Sequence, residues 1–216
     1  MGEQTVQILV QAFTETLSMT AISTIFAVII GFVFAIIMIV VAPDGLRPVP
    51  PVYKVLDVIV NILRSFPFVI LMVVLVPVTR IIVGTSIGTA ASMVPLTIAA
   101  APFVTRVIES ALKEVDKGVI EAAKSFGASN TQIIFKVMLK EAMPSIMLGI
   151  TLTIISVVGY SAMAGAIGGG GLGDAAIRYG YQRFQTDIMI YTVIVLIVFV
   201  QVLQGLGNLL YKRLTK

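Results

Sequence analysis

The sequence predicts an all-α, polytopic membrane protein with five transmembrane helices. Of its 216 residues, 58% are hydrophobic and only 12% are charged, and the mean hydropathy is +1.04. A water-soluble domain of this length does not carry so much apolar sequence. The chain also contains no cysteine, histidine or tryptophan. Thiolate and imidazole metal ligands and the commonest general base are therefore missing, so we expect neither a metal site nor a catalytic site.

Stretches without charged residues mark the candidate spans, because about 20 apolar residues are needed to cross the hydrocarbon core of a bilayer. Five stretches qualify, and together they form a single domain, 1–216. The second contains Arg64, which we place just inside one interface, and the third contains Pro95 and Pro102, which predict a kinked helix. The expected spans are 16–42, 58–79, 90–112, 144–168 and 188–210, with a polar loop at 113–143.

The positive charges indicate the orientation of these spans. With the N-terminus outside and the C-terminus in the cytoplasm, 12 of the 15 lysines and arginines lie inside and 3 lie outside, as the positive-inside rule requires. The net charge of +4 is then explained by topology, and we expect no nucleic-acid partner. The inner set is Arg47, Lys54, Arg64, Arg106, Lys113, Lys117, Lys124, Lys136, Lys140, Lys212, Arg213 and Lys216, and the outer set is Arg80, Arg178 and Arg183.

The polar loop predicts two short helices. Lysines and acids are equally numerous between Glu109 and Glu141, so the loop is not a one-signed patch for lipid headgroups. An apolar set with i, i+3, i+4, i+7 spacing predicts a two-sided helix that ends at Gly127. Ser129 and Gln132 form a capping box that opens the second helix. The first apolar set is Val119, Ala122, Ala123 and Phe126, and the second is Ile133, Ile134, Val137 and Met138.

Two interpretations of the loop remain open at this point. It is either a solvated connector on the membrane surface or a docking site for another protein. The small side chains of Ala122, Ala123 and Gly127 favour docking, because they permit close approach by the backbone of a partner.

The stretch "EAAKSFGASNTQIIFKVMLKEAMP" resembles the EAA loop of ABC importer permeases. The matching residues are Glu121, Ala122, Ala123, Gly127 and Leu139. Val137 and Lys140 depart from the pattern, and the second helix is expected to continue to Met143 before Pro144 breaks it. The resemblance implies a type I importer permease fold in which this cytoplasmic coupling loop inserts into a separate ATPase subunit. The docking residues it implies are Glu121, Ala122, Ala123, Phe126 and Gly127.

Three further stretches resemble the methionine-uptake branch of these permeases: "NILRSFPFVILMVVLVPVTRIIVGTSIG", "VPLTIAAAPFVTRVIESAL" and "VGYSAMAGAIGGGGLG". The resemblance implies a homodimer in a bacterial inner membrane, two ATPase subunits and an extracytoplasmic methionine-binding protein. No cofactor is expected on this chain, because ATP would be bound by the partner subunit. The nearest string to a phosphate-binding loop, "GVIEAAKS", has alanine where the second glycine is required.

The fourth span holds the candidate pathway. Small residues are concentrated there, and the run "GGGG" at 168–171 sacrifices helix stability, which favours irregular backbone beside a pathway or an outer gate. The alternative for each glycine is close helix packing. The candidate pathway or gate residues are Tyr160, Ser161, Met163 and Gly165.

Two other classes of function are weighed against the importer. An ion-driven carrier or channel would normally place carboxylates within its spans, whereas we expect all 11 acids to lie in loops or at span margins. An intramembrane enzyme would need a nucleophile and base for which the sequence offers no candidate spacing.

Overall fold

The computed structural model describes residues 2–215, and within that range it contains helices and connecting turns but no strand. Met1 and Lys216, the last of the predicted inner anchors, lie outside the described residues. The helices are α1 (Glu3–Val41), α2 (Pro50–Ser65), α3 (Phe68–Val74), α4 (Val76–Val83), α5 (Thr89–Lys113), α6 (Lys117–Ser125), α7 (Asn130–Gln132), α8 (Leu139–Gly165), α9 (Gly171–Ala175) and α10 (Thr186–Leu214), with π-helical turns at Ile133–Met138 and Ala176–Tyr181.

The predicted all-α membrane fold is confirmed. Four helices are long and apolar enough to cross a bilayer: α1, α5, the continuous helix Asn130–Gly165 and α10. A bent pair, α2 and α3, supplies the fifth candidate span. The third and fifth predicted spans, 90–112 and 188–210, fall within α5 and α10.

The first helix, α1, is longer than the span expected at 16–42, because it begins at Glu3. Its 39 residues extend about 58 Å at about 1.5 Å per residue. The buried face of α1 includes the small residues Ala27, Gly31 and Ala35, which allow α5 to approach closely. A Cβ on Gly31 would lie 2.7 Å from the Cβ of Val104. The helix therefore extends beyond the expected span on its N-terminal side, because Glu15 bounds the uncharged stretch 16–43 but does not interrupt the helix.

The second span, expected as one helix over 58–79, is broken in the structure. Helices α2 and α3 meet at an angle of 103°. Pro67 has no N–H to donate to a preceding carbonyl, and it disfavours helical geometry at Phe66, which has an extended conformation with φ −69° and ψ 126°. The single-helix prediction was therefore wrong.

The fourth span is also corrected. Pro144, expected to separate a coupling helix ending at Met143 from a span at 144–168, lies inside α8 and does not end it. The helix from Asn130 to Gly165 is continuous, and its π-helical turn, Ile133–Met138, precedes the proline. The second helix of the loop is therefore continuous with a membrane-span helix.

The glycine tract after α8 is a packed turn. Gly168, Gly170 and Gly171 have φ values of 86°, 78° and 80°, a region that residues with a Cβ rarely adopt. The turn leads into α9, which folds back against α8 so closely that a Cβ on Gly173 would lie 2.2 Å from the carbonyl oxygen of Ala162. The tract is thus explained by chain reversal and close packing within the protomer.

Candidate functional site

The first half of the coupling loop folds as the sequence predicts. Helix α6 is capped at its start by Asp116, whose side chain accepts hydrogen bonds from the N–H groups of Gly118 (2.7 Å) and Val119 (3.3 Å). The chain turns away from the helix at Gly127, whose φ is 78°. The Gly127 N–H donates to the Lys124 carbonyl (2.9 Å), and the next N–H, of Ala128, donates to the Ala123 carbonyl (3.1 Å). This pair of bonds is a Schellman motif, which fixes the direction in which the chain leaves α6.

The orientation of α6 differs from the prediction. Ile120 and Ala123 pack against the apolar core, whereas Val119, Ala122 and Phe126 are exposed. Phe126 is 90% exposed, a rare state for a phenylalanine outside lipid. The predicted apolar set is therefore divided between two faces. We call the exposed face, formed by Val119, Glu121, Ala122, Lys124 and Phe126, the α6 surface.

The second half of the loop anchors α6 to the bundle. Both hydrogen bonds of the predicted capping box are present: Gln132 N–H donates to Ser129 Oγ (3.3 Å), and Ser129 N–H donates to Gln132 Oε1 (2.9 Å). Ile133, Ile134 and Met138 are buried in the main core. The loop is therefore a folded projection whose base is packed into the apolar core.

A cavity of about 150 Å³ lies behind α6. Its apolar floor is formed by Ile39, Leu112, Val115 and Met138, and its rim carries charged side chains that include Glu121 and Lys124. Helix α6 is thus held at its two ends and by Ile120 and Ala123, with open space between it and the end of α5. A force on α6 reaches the membrane helices through these few contacts.

Tyr160 and Met163 lie on the accessible side of α8. Met163 is 48% exposed and Gly159, one turn before it, is also exposed. The Tyr160 ring stacks on Phe68, with ring centroids 4.8 Å apart and planes inclined by 14°. Phe68 is the first residue after the break between α2 and α3, so the break in one span lies against the candidate pathway residue of another.

The other two candidate pathway residues are placed differently. Ser161 is 1% exposed, and its hydroxyl donates to the Val158 carbonyl (2.8 Å). Gly165 is buried, and a Cβ there would lie 2.3 Å from the backbone nitrogen of Asp174. Both residues pack within the protomer and do not share the exposed surface of Met163. Residues three or four apart share a helix face, whereas residues two apart do not.

Glu15, which directly precedes the expected first span, lies within helix α1 and not in a loop. Glu15 of α1 accepts a hydrogen bond from the Gly171 N–H at its Oε2 (2.7 Å) and one from Gln11 Nε2 at its Oε1 (2.9 Å). The neighbouring Thr16 hydroxyl accepts from the Leu172 N–H (2.8 Å). Glu15 and Thr16 therefore satisfy N–H groups at the start of α9, and both oxygens of Glu15 are engaged by protein donors.

An ion network centred on the buried Glu109 joins α2 to the C-terminal end of α5. Glu109 is 2% exposed and accepts from Tyr53 Oη (2.8 Å), Lys113 Nζ (2.7 Å) and Arg106 Nη1 (2.7 Å). Arg106 also pairs with Asp57 and donates to Asn61 Oδ1 (3.1 Å). We call these six residues the α2–α5 network.

No role for the α2–α5 network was predicted from the sequence, although its spacing was visible there. Arg106, Glu109 and Lys113 stand at i, i+3 and i+7 on one helix, and Tyr53, Asp57 and Asn61 stand at i, i+4 and i+8 on another. Each set lies on one helix face. What the sequence could not supply was the pairing of the two faces.

Across residues 2–215, no group of three or more aspartates and glutamates is arranged to hold a metal ion.

Comparison with known proteins gives one family and consistent relatives. The family model for the binding-protein-dependent transport system inner membrane component matches residues 27–216. The probable D-methionine transport system permease protein MetI of Vibrio cholerae is 50% identical over 206 residues, which cover 95% of this chain and 92% of that protein. The methionine import system permease protein MetP of Bacillus subtilis is 46% identical over 165 residues, 76% of this chain and 74% of that protein.

Solved structures agree with these relatives. A chain from inward-facing conformations of the MetNI methionine ABC transporter is 42% identical to this chain, with a TM-score of 0.97 and complete coverage of both chains. A chain of an amino acid ABC transporter determined with histidines is 20% identical, with a TM-score of 0.80, and covers 96% of this chain and 94% of that one. The second likeness concerns the fold alone.

Proposed function

The chain belongs to the family of binding-protein-dependent transport system inner membrane components, and on that premise we propose that it is the permease subunit of an ATP-driven importer that moves methionine, or a closely related amino acid, into the cytoplasm. The observation that carries the proposal is the α6 surface. There the E-A-A-x-x-x-G motif presents an exposed Phe126 on a folded projection whose base is packed into the apolar core. The names of the relatives support methionine as the substrate.

We assign the energy source to another polypeptide. A separate ATPase subunit docks on the α6 surface, binds the ATP and hydrolyses it, and this chain contributes no ATPase site. The MetNI likeness supports a dimer of this chain with two such subunits. A dimer also supplies two α6 surfaces, one for each ATPase subunit. An extracytoplasmic methionine-binding protein delivers the substrate to the opposite side.

The proposed topology follows from the docking partner. The α6 surface faces the cytoplasm, where ATP is available, so the N-terminus of α1 lies outside and the C-terminus of α10 lies inside. The lysines and arginines support this orientation. The accessible side of α8, with Met163 and Tyr160, then faces the second copy across the dimer axis, where the substrate passes.

Reconstitution into vesicles tests the proposal. We expect methionine uptake when the chain, an ATPase subunit and the binding protein are present together with ATP, and none from the chain alone. Uptake driven by a proton or sodium gradient in vesicles that hold this chain alone would refute the proposal. The engagement of both Glu15 oxygens by protein donors supports the expected absence of ion coupling.

Cysteine crosslinking tests the docking surface directly, because the chain has no native cysteine. We expect an adduct with the ATPase subunit from Ala122→Cys, whose side chain lies on the α6 surface. Ala123→Cys, the neighbouring control, should react far less, because Ala123 packs against the core. The measurement is the mobility of the permease band after reaction with a short reagent that joins a thiol to a nearby amine. Equal adduct formation at both positions would contradict the orientation of α6.

A further inference from the structure

The α2–α5 network lies where the coupling loop joins the membrane helices. Lys113 is the last residue of α5, and only three residues separate it from the start of α6 at Lys117. Glu109, one turn earlier, is the acceptor shared by both helices: Tyr53 binds it from α2, and Lys113 and Arg106 bind it from α5. Any displacement of the end of α5 therefore acts on α2 through charged hydrogen bonds, which are stronger than neutral ones.

Beyond the network, α2 has little other attachment to the bundle. Val60 is its one buried residue. An open apolar groove of about 130 Å³ runs between the middle of α2, at Ile59, Val60 and Leu63, and helices α1 and α5. A helix that is held on one face by polar contacts at Tyr53, Asp57 and Asn61, and that buries a single apolar residue, can pivot with little loss of packing.

The far end of α2 reaches the candidate pathway. The chain breaks at Phe66 and Pro67, and Phe68 immediately stacks on Tyr160 of α8. A change in the tilt of α2 would be absorbed at this break, since a proline break is a natural hinge between rigid helices. The Phe68–Tyr160 stack would then separate or slide.

From these contacts we infer that α2 is a lever that links the coupling loop to the pathway, and that Glu109 is the positioning residue that couples the end of α5 to it. The inference rests on the proposed ATP-driven import. Glu109 touches neither the substrate nor ATP, and it acts by keeping α2 and α5 together when the ATPase subunits move α6. Breaking the link should leave ATP hydrolysis running while transport fails.

The test uses the complete importer in vesicles, with Glu109→Gln in the permease. Glutamine keeps the size and one acceptor but removes the charge that Lys113 and Arg106 share. We expect methionine uptake per ATP hydrolysed to fall at least about tenfold, which corresponds to about 1.4 kcal/mol, the scale of one hydrogen bond to a charged group. ATP hydrolysis itself should change by less than about twofold.

A spin label provides a readout that a general loss of stability would not reproduce. Ile62→Cys places a single label on the exposed side of α2, between the network and the break. In the parental importer we expect the label's mobility to change when a non-hydrolysable ATP analogue binds. With Glu109→Gln the change should be lost, because α2 no longer follows α5.

Two further variants complete the design. Glu114→Gln is the matched control, because Glu114 is an exposed acid just after α5 and should leave both the uptake ratio and the label signal unchanged. Tyr53→Phe keeps the ring over Lys113, 4.9 Å from its Nζ, and removes the hydroxyl that reaches Glu109. It should lower the ratio in the same direction, and it provides the test should Glu109→Gln insert poorly.

The outcomes separate this inference from the proposed function. Unchanged uptake per ATP in both network variants, or a label that does not respond to nucleotide in the parental importer, would overturn the lever. A parental importer that shows the label change but does not accumulate methionine would support the lever and refute the proposed substrate.

Discussion

Replacing Phe126 with alanine is expected to release the ATPase subunit from the permease. The Phe126 ring is 90% exposed, and it lies at the end of a helix that is packed against the core. Such a ring has the character of an interface hot spot, since large aromatic side chains contribute much of the binding energy of protein interfaces. A hot spot is worth about 2 to 4 kcal/mol, so the dissociation constant should rise by about 30- to 1,000-fold. ATP-driven uptake should fall accordingly.

The stability of the permease itself should hardly change, because truncation of an exposed side chain usually alters the free energy of unfolding by less than about 0.5 kcal/mol. Phe184→Ala is the matched control. Phe184 is 87% exposed and lies in the turn between Tyr181 and α10, on the side of the membrane proposed to face away from the ATPase. The measurement is the amount of ATPase subunit that co-purifies with each variant, and equal recovery from both would contradict the docking role of Phe126.

The sequence was most informative where the relevant interactions are local. The end of α6 at Gly127 and the capping box at Ser129 and Gln132 are each determined by residues within one turn, and the structure contains both. Hydropathy likewise identified the helices that cross the membrane, because burying about 20 apolar residues in lipid depends little on their neighbours.

The orientation of side chains on those helices depends on distant residues and was predicted less well. The predicted apolar set on α6 was assigned to one face. In the structure Ala123, together with Ile120, faces inward and packs against the core that contains Ile133, Ile134 and Met138. No periodicity within nine residues distinguishes the face that meets the bundle from the face that meets a partner. The same limit applies to Gly165, which is packed against Gly173 and Asp174 of α9.

Prolines illustrate how context decides between two local outcomes. Pro67 ends a helix, whereas Pro144, Pro95 and Pro102 lie within helices that continue past them. A membrane helix can tolerate a missing N–H when neighbouring groups satisfy the freed carbonyl. Charged residues stand close before both Pro67 and Pro144, at Arg64 and Glu141, so local composition does not distinguish the proline that ends a helix from the one that does not.

Replacing Gly127 with proline is expected to abolish uptake while membrane insertion remains normal. Gly127 has a φ of 78°, and proline is fixed near about −65°. The substitution also removes the N–H that bonds the Lys124 carbonyl and disfavours the near-helical geometry of Phe126. The combined cost of at least about 3 kcal/mol falls on the Schellman motif, so α6 would leave its position on Ile120 and Ala123. Uptake in vesicles and membrane content are the two measurements.

Asparagine at the same position separates conformation from the mere loss of glycine. It should be tolerated far better than proline, because asparagine adopts left-handed geometry more readily than other residues with a Cβ and keeps the N–H. We therefore expect Gly127→Asn to retain most of the uptake and Gly127→Pro almost none. Since the spans are inserted by their own hydropathy, both variants should reach the membrane in equal amounts. Substantial uptake by Gly127→Pro would mean that the motion of the ATPase subunit is transmitted to the permease by a part of the chain other than α6.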